Sequence, residues 1–263
     1  MAYEEFLEFA KVTALEAGEG VLMKNYGKMQ ELEWNLKQYF RTVVDKESDT
    51  LIRKRIKEKF PEHNIYSEEN EGIDRNSEFS WVIDPLDGTL PYRYGTTDHF
   101  SVCIALARKK TPVVGVVYAP KRRELYFAKQ NGGAFCNEKR IFISSEENIN
   151  HVLMGLDGGK ETEHFRRVDI IHYIDRFYSK DGISCFFASG CASVPLVLTA
   201  SGKLHAYMAL SLEPWDMAAA AAINREAGAK VTNIRGEEWT LDDKSIFAAN
   251  PALHEKLFAL LVK

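Results

Sequence analysis

Residues 81–89, WVIDPLDGT, place two carboxylates, Asp84 and Asp87, around a proline at the end of an apolar run. A strand end is rigid, and Pro85 fixes one backbone dihedral just after the first carboxylate. Such a turn can aim both side chains at one point. Two anions held that close repel unless protons or cations intervene. Carboxylates together with backbone carbonyls are what Mg²⁺ prefers. Gly88 and Thr89 follow at what reads as a turn into a helix, where free backbone N–H groups suit a phosphate. Three more acidic signals stand elsewhere: Glu68 and Glu69 in SEEN, Asp216 in EPWDMAAAAAINREAG, and Asp45 in TVVD. Singly, each has an ordinary explanation. Turn aspartates bond their own backbone, paired glutamates sit in solvated loops, and Asp216 is a favourable first-turn charge. Asp45 reads as a helix N-cap.

The elements that must position these groups follow from periodicity. Phe6, Phe9, Ala10, Thr13, Ala17 and Val21 fall on one side of a helix over residues 4–25. Residues 29–43 read as a loop or a short strand. Leu51, Ile52, Ile56 and Phe60 mark a second helix over 46–59, stopped by Pro61. NIYSEEN and a polar link lead to residue 78. Then come the β-branched and aromatic runs FSWVID, FSVCIALA, PVVGVVYA and ELYFA, with a hairpin turn at NGG and the runs AFCN and IFIS beyond it. After residue 150 strands and helices alternate: VLMGL, a helix near 163–178, ISCFFA, a helix from about Ala192, KLHAYMAL, a helix from Pro214, AKVT, SIFAAN and a final helix capped by Asn250 and Pro251. The expectation is an α+β half, residues 1–147, carrying most of the acidic groups, then an α/β half, residues 148–263, carrying Asp216.

Composition narrows the function classes. The 263 residues are 45% hydrophobic, enough for a sizeable core, and a net charge of −4 gives no global basic field for nucleic acid. No apolar run is long enough to span a bilayer, and the N-terminal stretch lacks the pattern of a signal peptide. Cys103, Cys136, Cys185 and Cys191 show no C-x-x-C pair and no zinc spacing, so reduced, mostly buried thiols in a cytoplasmic protein are expected. The seven histidines show no metal-site spacing and read as structural or surface groups.

TVVD, SEEN, WVIDPLDGT, NGGAFCN, SGCAS and PWDMAAAAAINREAGAKVT, in this order, resemble the inositol monophosphatase family of Mg²⁺-dependent, lithium-sensitive phosphatases. A D-x-D-G-T aspartyl-phosphate motif is excluded by the two residues between Asp84 and Asp87. The resemblance implies the layered αβαβα sandwich shared with fructose-1,6-bisphosphatases. It implies two or three Mg²⁺ per site, held by Glu68, Asp84, the Leu86 carbonyl, Asp87 and Asp216. Asp45 and Thr89, with Glu68, would serve the attacking water, without a covalent intermediate. Asp87 and the Gly88 and Thr89 amides would meet the phosphate, while Gly190, Cys191 and Ala192 in SGCAS, with Glu213, would meet the rest of the substrate. The implied substrate is a small phosphate monoester, inositol monophosphate first. Fructose 1,6-bisphosphate, 3′(2′),5′-bisphosphate nucleotides and histidinol phosphate are the rivals on the same fold, and a catalytically silent phospho-ligand binder is the rival of another class. A homodimer is implied too.

Three departures stand out. LPYR, residues 90–93, replaces the usual residues after D-G-T. Ala209 occupies the slot, about two helical turns before Asp216, where inositol phosphatases often carry an acid; Glu213 is nearer the motif. Ala220 stands where glycine is common, a packing change. LDGGK, residues 156–160, has a phosphate-loop flavour but lacks the P-loop pattern and reads as a variable loop.

Overall fold

A computed structural model of the chain describes residues 3–28, 31–34, 40–159, 170–179 and 182–261. Helix α1 (Glu4–Ala17) runs on through a π-helical turn to Met23. A small antiparallel pair follows, β1 (Glu33–Trp34) and β2 (Phe40–Arg41), then α2 (Val43–Lys59). The main sheet takes β3 (Asn64–Ser67), β4 (Phe79–Asp87), β5 (Ser101–Arg108), β6 (Thr111–Ala119), β7 (Glu124–Lys129), β8 (Gly133–Cys136) and β9 (Lys139–Ile141), side by side in chain order. All its pairs are antiparallel except β3 with β4. Between β4 and β5 lies the short helix α3 (Thr89–Tyr94).

The second sheet begins with β10 (Leu153–Asp157). Helix α4 (Ile170–Phe177), β11 (Cys185–Phe187), α5 (Ser193–Ala200), β12 (Ala206–Ala209), α6 (Pro214–Glu226), β13 (Lys230–Thr232), β14 (Ile246–Ala249) and α7 (Pro251–Leu261) complete the described chain. Its strand order is β11-β10-β12-β14-β13. Helices α1 and α2 cover one face of the main sheet, α5 and α6 lie between the sheets, and α4 and α7 close the far side. This is the αβαβα arrangement. Strands covered on both faces need near-continuous apolar runs, which is why β5 and β6 read as they do; nearly every residue of both is buried.

The middle layer explains the alanine run of α6. At Gly115 of β6 a Cβ would lie 2.1 Å from the Ala219 carbonyl oxygen. Helix and sheet meet almost backbone to backbone, so that face of α6 accepts only small side chains. Ala220 is buried in the core shared by both sheets, a packing position as expected.

Some elements differ from the sequence reading. NIYS, to which the sequence reading assigns no element, is the edge strand β3; its alternation of Ile65 inward and Tyr66 outward is too short to signal. Strand β4 does not stop at Asp84 but continues to Asp87 through a register shift against β5. Helix α2 begins at Val43, and Thr42, not Asp45, is its N-cap. LPYR lies in α3, where buried Tyr92 donates from its hydroxyl to the Leu22 carbonyl at 2.8 Å. Cys185 is exposed, unlike Cys103 and Cys191. Of the expected 163–178 helix, residues 163–169 lie outside the described residues.

Candidate active site

Strand β4 delivers Asp84 and Asp87. In a regular strand, residues three apart face opposite sides of the sheet. Here Asp84 pairs with Cys103 and Asp87 with Ser101, so one extra residue bulges out of β4. A bulge re-aims side chains, and this one brings both aspartates to the same cavity. Pro85 suits the bulge because it has no N–H to leave unpaired, and its carbonyl accepts from Ser48 Oγ at 2.9 Å. Asp84 is fixed within its own turn by the Leu86 amide, 3.0 Å from Oδ1.

One carboxylate oxygen each from Glu68, Asp84 and Asp216 lies within 4.8 Å of the others. Glu68 follows edge strand β3. Asp216 sits in the first turn of α6 and crosses from the other sheet's side; its Oδ2 accepts the Glu213 amide at 2.8 Å. Burial first, and repulsion from neighbouring carboxylates second, push Glu68 and Asp84 well above the usual carboxylate range. The donor set is all oxygen, which fits a hard divalent cation rather than zinc or copper. Glu68, Asp84 and Asp216 could therefore hold a hard divalent cation.

Asp87 lines the same cavity but stands outside that triad. Its oxygens accept from Cys191 Sγ at 3.0 Å, the Ala192 amide at 3.2 Å and the Ser193 amide at 2.6 Å, with the Ser193 hydroxyl close by. Asp87 thus holds the entry to α5 against β4. Burial, followed by this carboxylate, pushes the Cys191 thiol well up. Gly190, Cys191 and Ala192 line the cavity wall facing β4.

Gly88 is left-handed, with φ +85°. A Cβ there would meet the His99 carbonyl oxygen at 2.6 Å and Cys191 Cβ at 3.1 Å. Only glycine lets the chain turn from β4 into α3 at this approach. The first-turn amides of α3 have no acceptor within their own helix, and Gly88, Thr89 and Leu90 line the cavity. Thr89 Oγ1 donates to Asp45 Oδ1 at 3.1 Å, while Asp45 Oδ2 accepts the Thr42 amide and hydroxyl at 2.7 and 2.6 Å. Asp45 is thereby the third residue of a capping box. Burial, partly offset by these hydrogen bonds, pushes it up to about 6. Buried Glu69 is pushed up to about 7, first by burial and then by Asp45, with Arg41 3.8 Å away countering.

One residue stands apart from its expected place. Glu213 is not on the cavity wall: its carboxylate is paired with Lys244. Ala209 is fully buried and brings no polar group. Leu90, the first residue of the unusual LPYR stretch, lines the cavity, and so do Phe40, Asp157, Gly159 and Leu212, which were not anticipated. For Asp157 the signal was present: VLMGLD ends an apolar strand in a carboxylate, as WVID does.

The sequence pattern of the inositol monophosphatase family matches residues 2–263. The chain is 34% identical over 264 residues to the "Fructose-1,6-bisphosphatase/inositol-1-monophosphatase" of Aquifex aeolicus, covering 99% of this chain and 96% of that one. It is 30% identical over 259 residues to a "Putative Nus factor SuhB" of Neisseria meningitidis, covering 97% of each. The crystal structure of the extragenic suppressor protein suhB from Bartonella henselae superposes with a TM-score of 0.89 at 27% identity over 99% of both chains. A match along the whole chain, with the layered fold and the acidic cavity, leads to one conclusion: the chain belongs to the inositol monophosphatase family.

Proposed function

We propose that the protein is a Mg²⁺-dependent phosphatase of a small phosphate monoester, with inositol monophosphate the leading substrate. The observation that carries this is the convergence of Glu68 and Asp84, from the main sheet, with Asp216, from the first turn of α6, to within 4.8 Å. Bringing buried Asp84 and Asp216 together with half-buried Glu68 is costly without cations. Glu68, Asp84 and Asp216 would hold the ions, and Asp87 and the Leu86 carbonyl are the next oxygen donors on the same wall. When bound, the ions supply Lewis-acid polarisation of the phosphoryl group and of water.

The chain's own residues supply the rest. Asp45 fixes the Thr89 hydroxyl by accepting its proton, so the Thr89 oxygen is left to accept from a water. A water proton passes to Thr89 Oγ1 as the Thr89 proton moves to Asp45 Oδ1. An Asp45 pushed up to about 6 is suited to that transfer near neutral pH. The α3 amides receive phosphoryl oxygens, and Asp87 keeps the α5 entry in place for the alcohol part. In-line positioning and charge neutralisation are most of what phosphoryl transfer requires.

The relative in Aquifex carries both bisphosphatase and monophosphatase in its name, and those named SuhB carry a Nus-factor name. The decisive experiment is phosphate release with and without Mg²⁺ on inositol-1-phosphate, fructose 1,6-bisphosphate, adenosine 3′,5′-bisphosphate and histidinol phosphate. Mg²⁺-dependent release led by inositol-1-phosphate supports the reading. Mg²⁺ binding with no release from any of the four points instead to a silent binder. Lithium inhibition and a homodimer by gel filtration belong to the same reading.

A further inference from the structure

Resting on that phosphatase reading, we propose that Asp157 sets substrate specificity by accepting hydrogen bonds from the hydroxyl groups of a polyol monophosphate. Asp157 ends β10 and lines the same cavity as the Glu68, Asp84 and Asp216 group without belonging to it. Its placement is built in. The Gly159 amide donates to Asp157 Oδ1 at 2.7 Å, and the Asp157 carbonyl accepts the Leu210 amide at 3.0 Å. Gly159 is left-handed, with φ +63°, and a Cβ there would lie 1.7 Å from the Leu210 carbonyl oxygen. The turn after β10 is therefore pressed against the exit of β12, where only glycine fits, and Asp157 is fixed between them. Strand β12 lies parallel to β10 with Ala209 in register with Asp157. Ala209 is fully buried behind the wall, and of strands β10 and β12 only Asp157 reaches the described cavity lining.

The charge of the cavity says what it meets. Its described lining includes Asp157 and four other carboxylates, but no lysine, arginine or histidine. An ionised carboxylate only accepts hydrogen bonds, so the ligand group facing it must donate. A hydroxyl does so. The apolar surfaces of Phe40, Leu90 and Leu212 leave a carbon skeleton room beside this acceptor. This combination favours a hydroxyl-rich alcohol as the group that carries the phosphate.

The test compares Asp157→Asn with the unaltered protein on three substrates under Mg²⁺. Asparagine keeps an acceptor for the Gly159 amide, so the turn is retained; Asp157→Ala is the harsher second variant. For inositol-1-phosphate, KM rises about 10- to 100-fold with kcat little changed, the loss expected for a hydrogen bond to a charged group. For p-nitrophenyl phosphate, which has no hydroxyl to offer, both constants stay the same. A parallel loss on both substrates, or no change on either, overturns the proposal. So does a loss confined to histidinol phosphate, which would assign Asp157 to an ammonium. If the unaltered protein releases no phosphate at all, the phosphatase reading fails by itself. Calorimetry with Mg²⁺ then decides this inference: inositol-1-phosphate binding about tenfold more tightly than inorganic phosphate, with the margin lost in Asp157→Asn, supports it. Equal binding of the two overturns it.

Discussion

Replacing Asp84 by asparagine should make the metal-free protein more stable while removing its activity. Three carboxylate oxygens lie within 4.8 Å of one another at Glu68, Asp84 and Asp216. At that limiting separation each fully charged pair repels by about 3.5 kcal/mol at an effective dielectric of about 20. The protein sheds part of this by retaining protons, as the raised Glu68 and Asp84 carboxyls show. The net gain on removing one charge is then about 1–3 kcal/mol, and the Leu86 amide keeps an oxygen acceptor on asparagine. For a chain of this size each kcal/mol moves Tm by roughly 2–4 °C. The pH dependence has a definite sign. Well below the ordinary carboxyl value of 3.8, the carboxyl is protonated folded or unfolded, and the variants come together. As pH rises from that value toward the raised folded one, the unfolded chain has released a proton that the folded state still holds. The unaltered protein therefore loses stability, and the advantage of Asp84→Asn grows. Saturating Mg²⁺ reverses the order: at 100 times Kd it adds about 2.7 kcal/mol to the unaltered protein and far less to the variant, whose phosphate release falls at least about 100-fold. Thermal melts from pH 4 to 8 in EDTA and in Mg²⁺ decide the matter. A variant less stable than its parent in EDTA at pH 8, or an equal Mg²⁺ shift in both, would refute the reasoning.

Further outcomes follow from single contacts. Gly88→Ala should lose about 2–4 kcal/mol and most activity, since its Cβ would meet backbone at 2.6 Å at a positive φ; Gly20→Ala, with nothing within 4 Å, is the control, and both are read by denaturant melts. Thr89→Val should reduce kcat by about 100-fold while Thr89→Ser retains most of it, because only the hydroxyl contacts Asp45; equal loss in both would refute the relay. Ser193→Ala removes a hydroxyl from Asp87 and should cost about 1–3 kcal/mol in chemical denaturation. Glu213→Gln should leave KM for inositol-1-phosphate unchanged, because that carboxylate pairs with Lys244 away from the cavity; a large KM rise would return Glu213 to the substrate.

Much of this site could be read from residue types. A polar residue that ends an apolar strand has few reasons to be there, which is why Asp84 and Asp87 stood out. What could not be read was direction. Asp87 looked equivalent to Asp84, yet the α5 amides claim its oxygens, and nothing in SGCAS announces which carboxylate they will meet. Asp45 looked like a helix cap, but Thr42 takes that position and leaves Asp45 at the third, where it can also reach Thr89. Glu213 was named for its nearness to Asp216, but it is the N-cap of α6 and its carboxylate pairs with Lys244. Asp157 was passed over because the glycines after it read as loop. Gly159 is there because the turn packs against the exit of β12, a contact between segments about 50 residues apart that no local pattern encodes.

Fold and chemistry are tied through the oxygens of the same carboxylates. Asp84 gives one oxygen to the Leu86 amide, Asp216 one to the Glu213 amide, and Asp45 one to Thr42. Each bond fixes the side chain from its own backbone, within two or three residues, before any ligand arrives. Asp84 and Asp216, with Glu68, then point into a buried space where they repel. A cation entering finds its ligands already ordered, so little conformational entropy opposes binding. The repulsion it relieves adds to its affinity. The instability that Asp84→Asn would remove is therefore the same free energy that holds the metal, and a variant stabilised at this site should be weaker in metal binding by a comparable amount.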